Sequence, residues 1–189
     1  MSLRASTWQT VGPFFSIGMK SRYVTDMAGP NAAGQRIVIV GSVFDGDERP
    51  IPDAMLEIWQ ANTYGKYAHP EDTQDKALDP GFRGHGRIPT DDSGRFAFTT
   101  IKPGSVGSPS RSGQAPHLLI SLMMRGLLRR LTTRMYFPNE PLNEHDEILQ
   151  LVARARRKTL MLIPDDEHPG HFRWDIHMQG DAETVFFDF

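Results

Sequence analysis

Short β-branched or alternating runs, each closed by a turn rich in Gly, Pro, Asn or Asp, recur along most of this chain, and they leave few folds open. Arg36–Phe44 is β-branched and ends at Asp45-Gly46-Asp47; Ala54–Gln60 ends at a turn over 62–65. The turn Thr90-Asp91-Asp92-Ser93-Gly94-Arg95 precedes the alternating run Phe96–Thr100. His117–Met124 and Thr132–Phe137 flank Arg125-Gly126, and Thr159–Ile163, Phe172–Met178 and Glu183–Phe189 complete the set. Many short strands at this spacing predict a mostly β chain, an antiparallel β-sandwich. The one helical pattern covers Leu142–Val152, with Asn143 as its expected N-cap and Ile148, Leu149 and Val152 as its apolar stripe. Residues 1–35 read as an irregular arm, 36–189 as the sandwich domain, and 103–114 as a Gly/Ser/Pro loop.

Composition narrows the class further. A chain of 189 residues suits one domain with an appended arm. Its net charge of −2 gives no basic footprint for nucleic acid. The cluster Arg154, Arg156, Arg157, Lys158 reads as a solvated face. With no cysteine there is neither a disulfide framework nor a thiolate metal site, which is compatible with the cytosol. The first residues lack the apolar core of a signal peptide, and no apolar run is long enough to cross a bilayer. A soluble, cytoplasmic protein is expected.

Local motifs alone carry little chemistry. His168 and His171 are separated by Pro169-Gly170, which makes a turn rather than a ligand pair, and His145 stands between acidic neighbours on the expected helix. His69 and His85 flank a loop, and His177 lies in an expected strand. No histidine pair has the helical spacing of a zinc protease. A Gly-x-Ser-x-Gly elbow is absent, and the glycines at 81, 84 and 86 lack the strand–helix context of a phosphate loop.

An ordered series of segments goes further. It runs Gln9-Thr10-Val11-Gly12-Pro13-Phe14, Leu56-Glu57-Ile58-Trp59-Gln60-Ala61-Asn62, Gly65-Lys66-Tyr67 and Leu78-Asp79-Pro80-Gly81-Phe82. It continues through Thr100-Ile101-Lys102-Pro103-Gly104, Gln114-Ala115-Pro116-His117, Arg125-Gly126-Leu127 and Thr133-Arg134-Met135-Tyr136-Phe137. It closes with Gln179-Gly180 and Glu183–Phe189. In this order and spacing the chain resembles the intradiol ring-cleaving dioxygenases, and within them the α chains of the αβ members that act on a dihydroxybenzoate.

The catalytic chains of that family hold ferric iron with two tyrosines and a His-x-His pair. Phenolate and imidazole suit the ion, whose charge draws a tyrosine pKa far below its usual value of about 10. By resemblance, the His-x-His position here is His117-Leu118-Leu119, with Leu119 in place of the second imidazole. One tyrosine position falls at Val106 and the other near Gln74, and no tyrosine occurs between Tyr67 and Tyr136. The resemblance therefore implies a chain that binds no metal itself, with His117 a buried relic. The Fe(3+) would sit on an iron-bearing β subunit in a hetero-oligomer, and O2 and a small aromatic substrate would meet at the interface. It further implies that Arg125, Thr10, Gly12 and Pro13 help form the substrate pocket, with Arg125 meeting the substrate carboxylate. Two other readings stay open: an iron-free binding or assembly module, and a self-sufficient dioxygenase with altered ligands.

Overall fold

The strand β1 (Arg36–Phe44) alternates between buried and more open residues, so that Ile37, Ile39 and Val43 all point inward. In this computed structural model, which describes residues 4–108 and 111–188, β1 is the spine of one sheet; the side chains at 13, 108, 111 and 112 lie outside that description. β4 (Arg95–Ile101) runs antiparallel to β1 and sets Phe98 opposite Ile39 and Phe96 opposite Gly41. A side chain at Gly41 is impossible, because a Cβ there would fall 1.8 Å from the Trp174 carbonyl oxygen.

The second sheet has the order β3-β2-β7-β8, from β2 (Met55–Trp59), β3 (His85–Pro89), β7 (His117–Met123) and β8 (Leu131–Tyr136). All its pairings are antiparallel. Its inward residues Leu56, Ile58, Ile88, Leu118, Ile120, Leu122 and Met135 pack on Ile37, Ile39, Val43, Phe96 and Phe98 of the first sheet. Each such aliphatic side chain withdrawn from water is worth roughly 1.5–3 kcal/mol. This is the sandwich that the sequence pattern predicts. Because its inner positions are spent on the core, His117, Leu119 and Ser121 of β7 share the opposite, outer face.

Several boundaries differ from expectation. The arm contains a helix, α1 (Pro13–Met19), with proline in its first turn where the fixed φ suits helix entry. The glycine-rich stretch after Gly81 yields β3, and the expected 103–114 loop carries a short hairpin, β5 (Val106–Ser108) and β6 (Arg111–Gln114). Residues 109 and 110 of that loop lie outside the described residues.

The helix expected over 142–152 is a 3-10 turn (Pro141–Glu144) followed by a single α-turn, α2 (Glu147–Gln150). Its cap is Asp146, whose carboxylate accepts from the Leu149 N–H at 2.9 Å. Asn143 instead donates to the Phe137 carbonyl at 2.8 Å, so the carboxylate one turn later wins the cap.

Near the C-terminus, 154–160 forms a 3-10 helix and only β9 (Ile163–Pro164) remains of the strand expected at 159–163. The strand expected at 172–178 is split into β10 (His171–Arg173) and β11 (Ile176–His177), both parallel to β1. The break has a cause: the Asp175 carboxylate, in place of a backbone carbonyl, accepts the Ser42 N–H at 3.0 Å. Among the described residues, 183–188 contributes one bridge, Phe187 to Thr132, in place of a strand; Phe189 lies outside the described residues. No described helix is long and apolar enough to cross a membrane.

Candidate functional site

The strand register arranges the outer face of the second sheet in rows. Trp59 lies between His85 and Leu119, Leu119 lies opposite Arg134, and His117 lies opposite Tyr136. The segment after β2 folds back over this face because Asn62 ties it down. The Asn62 side-chain oxygen accepts from the N–H groups of Tyr64 (2.9 Å) and Lys66 (3.0 Å), and its amide donates to the Ala77 carbonyl at 2.8 Å. Tyr67 thereby stacks on Trp59, with ring centroids 5.8 Å apart and planes 7° apart.

A cavity of about 480 Å³ opens beside this stack, lined by Trp59, Tyr67, Asp72, Gln74 and Val106 among others. Two positions that the resemblance assigns to lost tyrosines, Gln74 and Val106, thus share one cavity. The Gln74 amide is committed: its oxygen accepts the Gly107 N–H at 2.7 Å and its nitrogen donates to the Gly65 carbonyl at 3.1 Å. Asp72 accepts from the Tyr67 N–H at 2.7 Å, and Lys66 lies 3.4 Å from its carboxylate. These bonds hold the Asp72 carboxyl below its usual range despite the opposing cost of burial.

His117 is 3% exposed. Its Nδ1 lies 2.7 Å from the Ala115 carbonyl, and its Nε2 lies 3.4 Å from the Tyr67 hydroxyl. Burial, and then the charge of Arg134, push its pKa down to about 4, outweighing the Ala115 bond and Asp146. Burial pushes the phenols of Tyr67 and Tyr136 upward, against the lowering influence of Arg134. Arg134 itself donates to the Gln114 side chain at 3.0 Å and reaches the Tyr136 hydroxyl at 3.4 Å. Behind it, the fully buried Asp146 accepts from Tyr136 (3.1 Å), Ala115 N–H (2.9 Å) and Leu149 N–H (2.9 Å).

This donor set does not fit the ferric ion that the resemblance implies. One neutral imidazole, a phenol kept protonated by burial, a committed amide and the hydrocarbon of Val106 offer no anionic ligand beyond Asp72. The fourth position, Leu119, is also hydrocarbon and lines a different cleft. Among the described residues no three His, Cys, Asp or Glu side chains cluster as a metal site.

The expected substrate residues lie elsewhere, at the β7–β8 turn. Gly126 has φ +90°, a left-handed conformation that glycine adopts without strain. Its N–H donates to the Thr10 hydroxyl at 2.8 Å, which fastens the arm beside Arg125. Arg125 forms an exposed ion pair with Asp53. Gly12 caps α1 with no neighbour within 4 Å of a notional side chain, and Pro13 follows it. Arg125 and Thr10 are therefore brought together, while neither lines the Gln74–Val106 cavity. Sequence reasoning missed Asp53, Asp72 and Asp146. Asp146 alone carried a visible sign, its place three residues before Leu149 at the head of a helical turn.

The comparisons with known proteins agree with this architecture. A family model described as "Dioxygenase" matches residues 11–180. The chain belongs to the intradiol dioxygenase family. It is 39% identical to a protocatechuate 3,4-dioxygenase alpha chain from Burkholderia cepacia, over 99% of this chain and 98% of that one. The beta chain from the same organism is also 39% identical, but over 80% of this chain and 67% of that one. The dioxygenase domain of a carbohydrate-binding fusion protein from Streptomyces sp. SirexAA-E superposes with a TM-score of 0.62 at 25% identity, covering 86% of this chain and 89% of that one. Identity alone does not separate alpha from beta; the span does, since only the alpha relative is matched over nearly its full length.

Proposed function

We propose that this chain is the α subunit of a protocatechuate 3,4-dioxygenase, whose Fe(3+) is held by a β subunit in a hetero-oligomer. The assembly would take protocatechuate and O2 to 3-carboxy-cis,cis-muconate, both oxygen atoms entering the product. The partner's iron would supply the oxygen chemistry. This chain would position the substrate and exclude water. The observation that carries the reading is what stands at the four positions the resemblance assigns to iron ligands: Gln74 and Val106 line one cavity, Leu119 lines another cleft, and His117 is buried and neutral. The nearly full-length similarity to an alpha chain supports it.

Arg125, Thr10, Gly12 and Pro13 would contribute to the substrate pocket. The Thr10–Gly126 bond supports a shared role, because it joins two segments 116 residues apart that the family resemblance assigns to the same pocket. Arg125 would exchange its exposed Asp53 partner for the substrate carboxylate. Such an exposed pair is worth only about 0–1 kcal/mol, against roughly 1.5–3 kcal/mol for a desolvated charge-assisted bond.

Co-expression with an iron-bearing β chain tests the reading through metal content and oxygen uptake. A stable complex should contain iron and consume O2 with protocatechuate, while this chain alone should be colourless and inactive. Coloured, active isolated chain would make it a self-sufficient dioxygenase instead. Failure to form a complex would favour the binding-module reading.

A further inference from the structure

We propose that the cavity beside the Trp59–Tyr67 stack binds a quaternary ammonium ion. Its volume of about 480 Å³ lies within the range of about 300–1,000 Å³ usual for small-ligand pockets. Its lining combines the rings of Trp59, Tyr67 and His69, the hydrocarbon of Val106, and the carboxylates of Glu71 and Asp72.

The turn after β2 builds an aromatic corner. Tyr67 lies nearly parallel to Trp59, while the His69 ring stands across the indole at 81°, with centroids 6.1 Å apart. His69 is held by its own turn: Nδ1 accepts the Glu71 N–H at 3.3 Å, and its carbonyl accepts the Asp72 N–H at 3.0 Å. The faces of indole and phenol carry the negative potential that draws a cation.

The carboxylates set the sign of the ligand. Lys66 lies 3.4 Å from Asp72 and answers its charge. Glu71 is exposed, and its carboxylate has no partner among the described residues. One unanswered anion therefore faces the cavity.

Hydrogen bonding then selects the kind of cation. Both Asp72 oxygens are engaged by N–H groups of Tyr67 and Gln74. The Gly65 carbonyl accepts from the Gln74 amide, the carbonyls of Asp72 and Gln74 accept from Lys66, and the Ser105 carbonyl accepts from Lys76 at 2.7 Å. A primary ammonium or a guanidinium brings several N–H donors, and the acceptors around this cavity are already taken. A quaternary ammonium has no such donor. Its methyl groups pack on Val106 and the rings while its charge faces Glu71. The site uses none of the residues proposed for the substrate pocket and needs neither iron nor a partner, so it stands or falls apart from the dioxygenase reading.

Isothermal titration of the full chain with choline tests the site. One saturable site is expected, with no binding of 3,3-dimethyl-1-butanol, the uncharged isostere. Ethanolamine, which carries N–H donors on the same skeleton, should bind about tenfold more weakly. Glu71→Gln should lower choline affinity by about threefold to fivefold, as one exposed carboxylate permits. Glu71 is exposed, so the variant should retain the thermal transition of the parent chain. Absence of saturable choline binding overturns the proposal, as does equal affinity for the alcohol or in Glu71→Gln. Equal affinity for ethanolamine would make the cavity a general ammonium site and overturns the quaternary assignment. Displacement of choline by calcium at matched ionic strength would show carboxylates holding an inorganic cation, which overturns it equally.

Discussion

The Tyr67 hydroxyl lies 3.4 Å from Nε2 of His117, so a residue of the loop after β2 closes over the one imidazole among the four positions that the resemblance assigns to iron ligands. The other ring nitrogen is engaged by Ala115 at 2.7 Å. Both nitrogens are therefore spent inside the protein, and burial, reinforced by the positive charge of Arg134, opposes protonation of the ring. The imidazole here is a structural hydrogen-bonding group.

That burial makes His117 a source of acid sensitivity. Its folded pKa of about 4 lies below the unfolded value near 6.5, so the unfolded chain binds the extra proton first. The stability contributed by the neutral ring is full above pH 6.5 and is lost as pH falls through 6.5 toward 4, by about 3 kcal/mol at most. In urea unfolding at a series of pH values, His117→Gln should lose less stability than the parent between pH 7 and pH 4. Parallel curves would show that the imidazole is not the titrating group.

Asp146 connects the secondary core to this histidine. Its carboxylate receives Ala115 N–H, Tyr136 hydroxyl and Leu149 N–H, and Ala115 in turn receives the His117 ring. Asp146→Ala leaves three buried donors to find other partners. Each costs about 1–3 kcal/mol if none is found. The variant should lose at least 3 kcal/mol in urea unfolding at pH 7. A loss below 1 kcal/mol would mean that water or a neighbouring group replaces the carboxylate.

What was legible in the sequence divides along physical lines. β1, β2, β4, β7 and β8 were readable because two-residue alternation is a property of each strand by itself, as the buried Ile37 and Ile39 or Leu118 and Ile120 show. β3 was hidden by Gly86, whose missing side chain makes room for Met27: a Cβ there would meet the Met27 sulfur at 2.6 Å. Gly12-Pro13 read as a break in the chain, yet proline in a first turn starts a helix as readily as it ends one. Within the candidate site, the order of segments located Gln74, Val106 and His117. The pairing of Tyr67 with His117, 50 residues on, and of Arg125 with Asp53, 72 residues back, depends on tertiary folding and left no local mark.

The Arg125–Asp53 pair also gives the substrate role proposed for Arg125 a two-sided test in the reconstituted complex. Removing the guanidinium in Arg125→Ala should raise KM for protocatechuate by roughly 10- to 100-fold, the equivalent of one charge-assisted bond of about 1.5–3 kcal/mol, with far less effect on catechol, which has no carboxylate. Removing the competitor should act in the opposite direction. In Asp53→Asn the arginine loses its anionic partner, and KM for protocatechuate should fall by up to about fivefold, the range an exposed ion pair of 0–1 kcal/mol permits. Catechol again serves as the control, since releasing Arg125 gives it nothing to bind. If both substitutions change the two substrates equally, Arg125 and Asp53 shape the turn between β7 and β8 without selecting the carboxylate.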